Sequence, residues 1–148
     1  MQNQDLTADQ TRDLRALAGT IIPASAAYDV AGTDDEKIFS DVLRNLERDR
    51  EDIRRALSHL AAIGGCAFAD LGAGRRAEVA KAFREVGGAP LTALVRVVLL
   101  CYYRDDRVMR SLGQEVRPPF PKGHVVEQGD WSLLDPVRGR PAMYRTVD

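Results

Sequence analysis

Apolar residues recur at helical intervals along the first 112 residues, and they predict a set of amphipathic helices. Thr7 and Gln10 form a capping-box sequence before the first stripe, which ends where Pro23 forces the preceding residue out of helical geometry. Asp34 and Asp35 precede a second stripe, and acidic residues suit the N-terminal end of a helix. The apolar positions of the two stripes are Leu14, Leu17, Ala18 and Ile21, then Ile38, Phe39, Val42, Leu43 and Leu46.

Three longer segments and one short one complete the helical pattern. A third helix covers residues 53–61 and a fourth covers residues 73–86, and each ends at a glycine pair. The fifth, residues 91–103, is nearly all apolar, which is typical of the central helix of a bundle. A short sixth helix, residues 107–112, ends at Gly113. The residues of the fourth helix expected to face the core are Val79, Phe83 and Val86.

Residues 113–148 have a different composition. They hold the tryptophan and most of the prolines, and their large apolar residues follow neither a helical nor a strand interval. Such a segment is too apolar for a solvated tail. The prolines at 118, 119 and 121 favour a polyproline-like backbone, which docks at low entropic cost. The sequence therefore predicts an all-α protein: a bundle of five or six helices in residues 1–112, followed by an extended, proline-rich arm in residues 113–148. This arm covers either a partner protein or the chain's own helices.

Charge and hydropathy exclude several classes of function. The 148 residues include 21 basic and 22 acidic side chains, so the chain has no basic field for nucleic acid. It lacks an apolar run of 18 residues, and no membrane segment is expected. The first residues contain neither a basic region nor an apolar stretch, so no signal peptide is predicted. A cytoplasmic location is expected, with export beside a signal-bearing partner as the alternative.

Residues capable of catalysis or metal binding are few. The two cysteines and two histidines lack the clustered spacing of a zinc site. Cys66 and Cys101 are flanked by apolar residues and are expected to be buried. Reduced thiols are the default in the cytoplasm, while a bond between the two or with a partner stays open. No spacing relates Cys101 to His59, which is expected at the surface or the edge of the core. The Gly72-x-Gly74-x-x-Ala77 sequence matches a dinucleotide fingerprint loosely, but no strand precedes it, so these glycines are expected to shape a helix entry.

Three groups of residues follow the order and spacing of a known family. They are residues 14–23; Phe68 to Leu71 with Arg76 and Val79; and Tyr102, Tyr103, Val108, Leu112, Gly113, Pro121 and Gly123. On these residues, which span most of the chain, it resembles the gluconate 2-dehydrogenase subunit 3 family. Members of that family are small (gamma) helical subunits of FAD-dependent dehydrogenases of the glucose-methanol-choline type.

The resemblance implies a role in assembly and no reaction of the chain's own. A large partner subunit would bind FAD and oxidise an alcohol group of a sugar or related substrate. This chain would hold no cofactor and no catalytic residue, and would support the folding, stability or export of that partner in a hetero-oligomer, in the manner of a chaperone. An electron-transfer cytochrome is an optional further component. Related small subunits often begin with a twin-arginine signal, which this sequence lacks.

Aromatic residues and prolines are the expected contacts with the large subunit, because such residues dominate interface energies. The expected set is Tyr102, Tyr103, Pro119, Phe120, Pro121, Trp131 and Tyr144. Two other functions stay open. The chain could be a free-standing adaptor or regulatory protein that uses the same arm, or a small helical enzyme dependent on His59 or Cys101.

Overall fold

The computed structural model describes residues 5–116, 123 and 127–141, and the chain divides into two compact units. The first unit is Met1–Val116 and the second is Arg117–Asp148. All regular structure in the described residues is helical, apart from one isolated β-bridge between Ser25 and Val30. The predicted all-α class is confirmed.

Six α-helices lie in residues 5–116, the described part of the first unit. They are α1 (Ala8–Ile21), α2 (Glu36–Arg44), α3 (Arg50–Gly64), α4 (Ala73–Val86), α5 (Ala89–Arg104) and α6 (Asp106–Ser111). Local sequence sets most of their ends. The Thr7 hydroxyl accepts a hydrogen bond from the Gln10 N–H at 3.1 Å, and the Gln10 side chain accepts one from the Thr7 N–H at 3.0 Å, so the predicted capping box is present. Gly65 ends α3 in the left-handed conformation, with φ of 73°.

The core lies where α5 packs against α3 and α2, with α1 and α4 closing the remaining sides. Leu94 and Val98 of α5 are fully buried, as are Leu60 of α3 and Val42 of α2. Removing such side chains from water is the main stabilising contribution to a domain of this size. Most residues of the predicted helical stripes therefore lie on the faces that meet in this core, whereas Leu43 is 36% exposed.

Phe68 is a core residue, although it lies between the predicted third and fourth helices. A 3₁₀ turn, Phe68–Asp70, brings its ring into the core with no exposed surface. Asp13 of α1 accepts a hydrogen bond from the Ala69 N–H at 2.8 Å, and Arg76 of α4 donates to the Phe68 carbonyl at 3.2 Å. These two side chains fasten the turn to α1 and α4.

Two predictions about burial are wrong. Val86 is 62% exposed, because it occupies the last position of α4, nearly one turn beyond Phe83, the last buried residue of that helix. Cys66 is exposed, because the left-handed Gly65 turns the chain away from α3 just before it. Cys101, in contrast, is buried in α5 as expected.

The described part of the second unit contains a short helical segment. Residues Trp131–Leu134 form a 3₁₀ turn that continues into α7 (Asp135–Arg138). The Asp130 carboxylate accepts hydrogen bonds from the N–H and hydroxyl of Ser132 at 3.0 and 2.6 Å, and it begins the turn. Pro136 lies in the first turn of α7, where its missing N–H costs nothing. The arm is thus helical at residues 131–138, a feature that the predicted extended conformation did not include.

Candidate partner-binding surface

Helix α5 buries one face and exposes the other. Its buried residues are Ala93, Leu94, Val97, Val98, Cys101 and Tyr102. On the opposite side Leu99 is 36% exposed, Leu100 is 54% exposed and Tyr103 is 51% exposed. The prediction of a central helix therefore holds for one face only. A fully buried helix is apolar all round, whereas α5 is nearly all apolar and carries Thr92, Arg96 and Arg104 among the apolar residues of its exposed side.

The exposed side of α5 carries a continuous apolar row. Leu91, Val95, Leu99 and Tyr103 follow one another at intervals of four residues, so they lie side by side along the helix. Leu91 and Val95 are half-buried, and they separate two depressions in the surface. We call this row, together with Leu100, the α5 outer face. Leu99 and Leu100 were absent from the expected contacts; the signal for them was an apolar run longer than one buried face requires.

The deeper depression is a groove between α1, α4 and α5. Its volume is about 550 Å³ and one side is open to solvent. The apolar residues that line it are Leu17, Ile21, Ala77, Ala80, Phe83, Leu91 and Val95. Thr20, Lys81 and Arg84 complete the lining, which includes neither Asp nor Glu. We call this feature the α1–α4–α5 groove.

An ion-pair cluster fixes the end of α5 and the start of α6. Arg107 donates to the Asp105 carboxylate at 2.9 Å and to the Asp35 carboxylate at 2.6 Å, and Asp105 is nearly buried. Asp35 caps α2, while Asp105 caps α6. The hydrogen bonds from Arg107 hold the pKa of both carboxyl groups below the usual value. One guanidinium therefore joins the N-terminal ends of two helices, and α6 is positioned against α2.

A second cluster surrounds the Cys101 thiol. Burial raises the pKa of Cys101 to about 11, and the negative charge of Asp41 adds to this effect. Burial acts on Asp41 in the same direction, but the hydrogen bond and charge of Arg104, whose Nε lies 3.1 Å away, outweigh it and lower the pKa of that carboxyl. A thiol in this environment stays protonated at neutral pH. Since the thiolate is the nucleophilic form, the cluster is built as a structural contact between α2 and α5.

The other residues considered for chemistry lie apart from one another. His59 is exposed on α3, as the sequence indicated. Gly72 is the N-cap of α4 and follows a 3₁₀ turn, so the Gly72–Ala77 sequence shapes a helix entry. Among the described residues no three His, Cys, Asp or Glu side chains are grouped to hold a metal ion. In the same part of the chain, no single helix has the length and apolar content to cross a membrane.

The expected contact residues divide into three groups. Tyr103 is exposed on the α5 outer face, and Trp131 is 55% exposed in the second unit. Tyr102 is only 5% exposed and packs with Ile38 and Val108, so we reassign it from the expected contacts to the core. Its ring meets the Tyr103 ring edge to face, with 5.2 Å between centroids, and thereby supports the exposed tyrosine. The remaining members, Pro119, Phe120, Pro121 and Tyr144, lie outside the described residues.

The second unit exposes a compact group of apolar side chains on its helical segment. Besides Trp131, Leu133 is 74% exposed, Leu134 is 41% exposed and Val137 is 56% exposed. The hydrogen bonds from Ser132 lower the pKa of the Asp130 carboxyl that caps this segment. A short helix held by its own cap and carrying unburied Trp and Leu residues is suited to insertion into a partner.

Comparison with known proteins finds no match: no protein-family model, curated protein or solved structure corresponds to this chain.

Proposed function

We propose that this chain is a non-catalytic small subunit, which binds a large FAD-dependent dehydrogenase of the glucose-methanol-choline type and stabilises it. The observation that carries the proposal is the α5 outer face, where Leu99, Leu100 and Tyr103 remain exposed on the most apolar helix of the bundle. A continuous apolar row on a soluble domain is typical of a protein–protein interface. The choice of a flavoprotein as the partner rests on the resemblance to the subunit 3 family.

The chemistry available in the chain supports a binding role. The Cys101 thiol is buried and its pKa is raised, while the exposed Cys66 and His59 lie in different segments. The ion pairs of Arg104 and Arg107 connect helices to one another, and the described lining of the groove contains no carboxylate. Substrate oxidation in the proposed complex belongs to the large subunit and its FAD.

The exposed helical segment of the second unit supplies further contact area. Trp131 and its apolar neighbours are anchors of the kind that contribute most to interface energies. Two separate apolar surfaces on a chain of 148 residues give the proposed subunit an extended area for contact with a much larger protein. An extended contact of this kind suits a subunit that stabilises its partner's fold.

Co-expression with the product of the neighbouring gene, which the proposal expects to be a flavoprotein, tests the proposal. We expect a complex of one large and one small species that co-purifies and shows the absorption bands of bound flavin. Without this chain, the large subunit should lose most of its soluble yield or its activity. A large subunit that is fully soluble and active alone, or a stable complex with a protein that binds no flavin, would contradict the proposal. The latter result would favour the adaptor function.

A further inference from the structure

The α1–α4–α5 groove combines an apolar floor with a cationic rim, and this combination specifies what binds there. Phe83, Leu91 and Val95 contribute to the floor, while Lys81 and Arg84 on α4 stand at the rim. Both cations are exposed, and in the described part of the chain neither is paired with a carboxylate. Most other exposed arginines of this unit do have such partners, for example Arg75 with Glu78.

We infer that the groove is the docking site for an acidic amphipathic helix of the large subunit. Apolar side chains on one face of that helix would fill the groove, and flanking Asp or Glu residues would pair with Lys81 and Arg84. The inference rests on the proposed function, because it names the segment of the partner that the small subunit recognises.

The shape of the α1–α4–α5 groove favours a helix as its occupant over a small amphiphilic molecule. Pockets for small molecules enclose most of the ligand, whereas this groove is open along one side. It also continues past Leu91 and Val95 into the shallower depression that reaches Leu99. Eight residues of α5 correspond to about 12 Å, or roughly two turns of a docked helix. The groove and the α5 outer face therefore form one continuous docking surface.

Charge reversal at the rim tests the electrostatic part of the inference. In the full complex, the Lys81→Glu/Arg84→Glu variant should raise the dissociation constant about tenfold, and most of the salt dependence of binding should disappear. Arg48→Glu is the matched control, since Arg48 is exposed and outside the groove and has no ion pair in the described residues. It should change the dissociation constant by less than about twofold.

A pair of alanine variants tests the apolar floor. Ala77 is exposed in the groove, and Ala62 is exposed on α3 away from it. Ala77→Glu places a carboxylate where the acidic helix would lie, so it should weaken the complex at least tenfold, while Ala62→Glu should leave it unchanged. Helical circular dichroism of both variants should match the parent chain, because neither side chain belongs to the core.

Photo-crosslinking identifies the occupant directly. With benzoyl-phenylalanine in place of Ala77, the crosslinked peptide should come from the large subunit, with apolar residues at helical spacing and an excess of Asp and Glu. A basic peptide, a peptide of this chain or of a second copy, or tight binding of dodecanoate to the groove without effect on the complex would each overturn the inference. If the complex forms normally with every groove variant, the docking of an acidic helix in the groove is refuted and the proposed function is not. Failure of the parent chain to form any complex refutes the proposed function.

Discussion

Cys66 and Cys101 have similar neighbours in the sequence and opposite environments in the structure. Each cysteine is flanked by small or apolar residues, and burial was therefore expected for both. Cys101 lies on the buried face of α5, whereas Cys66 follows the left-handed Gly65 and lies outside the helix. Local apolar composition does not specify on which side of a turn a residue lies. At this scale the sequence predicts burial only where a helical period fixes the direction of the side chain.

The two thiols should differ sharply in reactivity. Cys66 is exposed, while burial raises the pKa of Cys101 to about 11. An aromatic disulfide reagent at neutral pH should therefore label one thiol quickly in the native chain, and the second only after unfolding in denaturant. The Cys66→Ser variant should give no rapid labelling, and Cys101→Ser should keep it. Rapid labelling of Cys66→Ser in native buffer would contradict the buried position of Cys101.

The ends of the helices were the most predictable elements, because short-range chemistry determines them. The capping box at Thr7, the N-cap at Asp35 and the glycine after α3 are all present where the sequence indicated them. The Phe68–Asp70 turn was missed as a core element, because its position depends on hydrogen bonds to α1 and α4. Contacts between distant segments leave no periodic signal in the sequence.

Two glycine-to-alanine substitutions should change stability in opposite directions. Gly65 has φ of 73°, a conformation that is unfavourable for alanine, so Gly65→Ala should lower the free energy of unfolding by about 1 kcal/mol. Gly74 lies inside the first turn of α4 with no atom near its missing Cβ, and Gly74→Ala should raise the free energy by up to about 0.5 kcal/mol. Urea unfolding monitored by circular dichroism measures both. Equal effects of the two substitutions would contradict the left-handed conformation of Gly65 and the helical position of Gly74.

The connection between α2 and α6 should weaken in acid. Hydrogen bonds from Arg107 lower the pKa of Asp35 and Asp105, so the native state binds protons less readily than the unfolded state. The stabilisation from these carboxylates is therefore present above their unfolded pKa, and it is lost as the pH falls through the lowered native pKa.

Asp105→Asn tests this dependence on pH. At pH 7 the substitution should lower the free energy of unfolding by about 2 kcal/mol, since it removes the charge from a nearly buried group that pairs with Arg107. The difference from the parent chain should shrink as the pH falls through the lowered native pKa of Asp105, below which the parent carboxyl is also protonated. The exposed neighbour Asp106 gives the control, and Asp106→Asn should cost less than about 0.5 kcal/mol. A difference for Asp105→Asn that is independent of pH would contradict the account.

At the scale of the whole molecule, the sequence predicted the helical bundle but not the apolar residues that α5 exposes on its surface. Hydrophobic periodicity identified most of the buried positions of α1, α2 and α3, and with them the fold class. The α5 outer face was missed because composition alone does not distinguish a helix covered on all sides from one that leaves a face exposed. The arm illustrates the same limit. Its expected anchors were chosen from residue type, whereas the helical segment at residues 131–138 depends on the Asp130 cap and Pro136.

The central claim is that this chain binds a flavoprotein subunit through the α5 outer face, and the affinity of two tyrosine variants tests it most directly. Tyr103 is 51% exposed on that face, and Tyr28 is 72% exposed in the loop between α1 and α2. Each is replaced by alanine in the full chain, and the dissociation constant for the purified flavoprotein is measured by calorimetry. We predict that Tyr103→Ala weakens binding at least tenfold and that Tyr28→Ala leaves it within about twofold of the parent value. Absence of binding by the parent chain, or equal affinities of the two variants, would contradict the account.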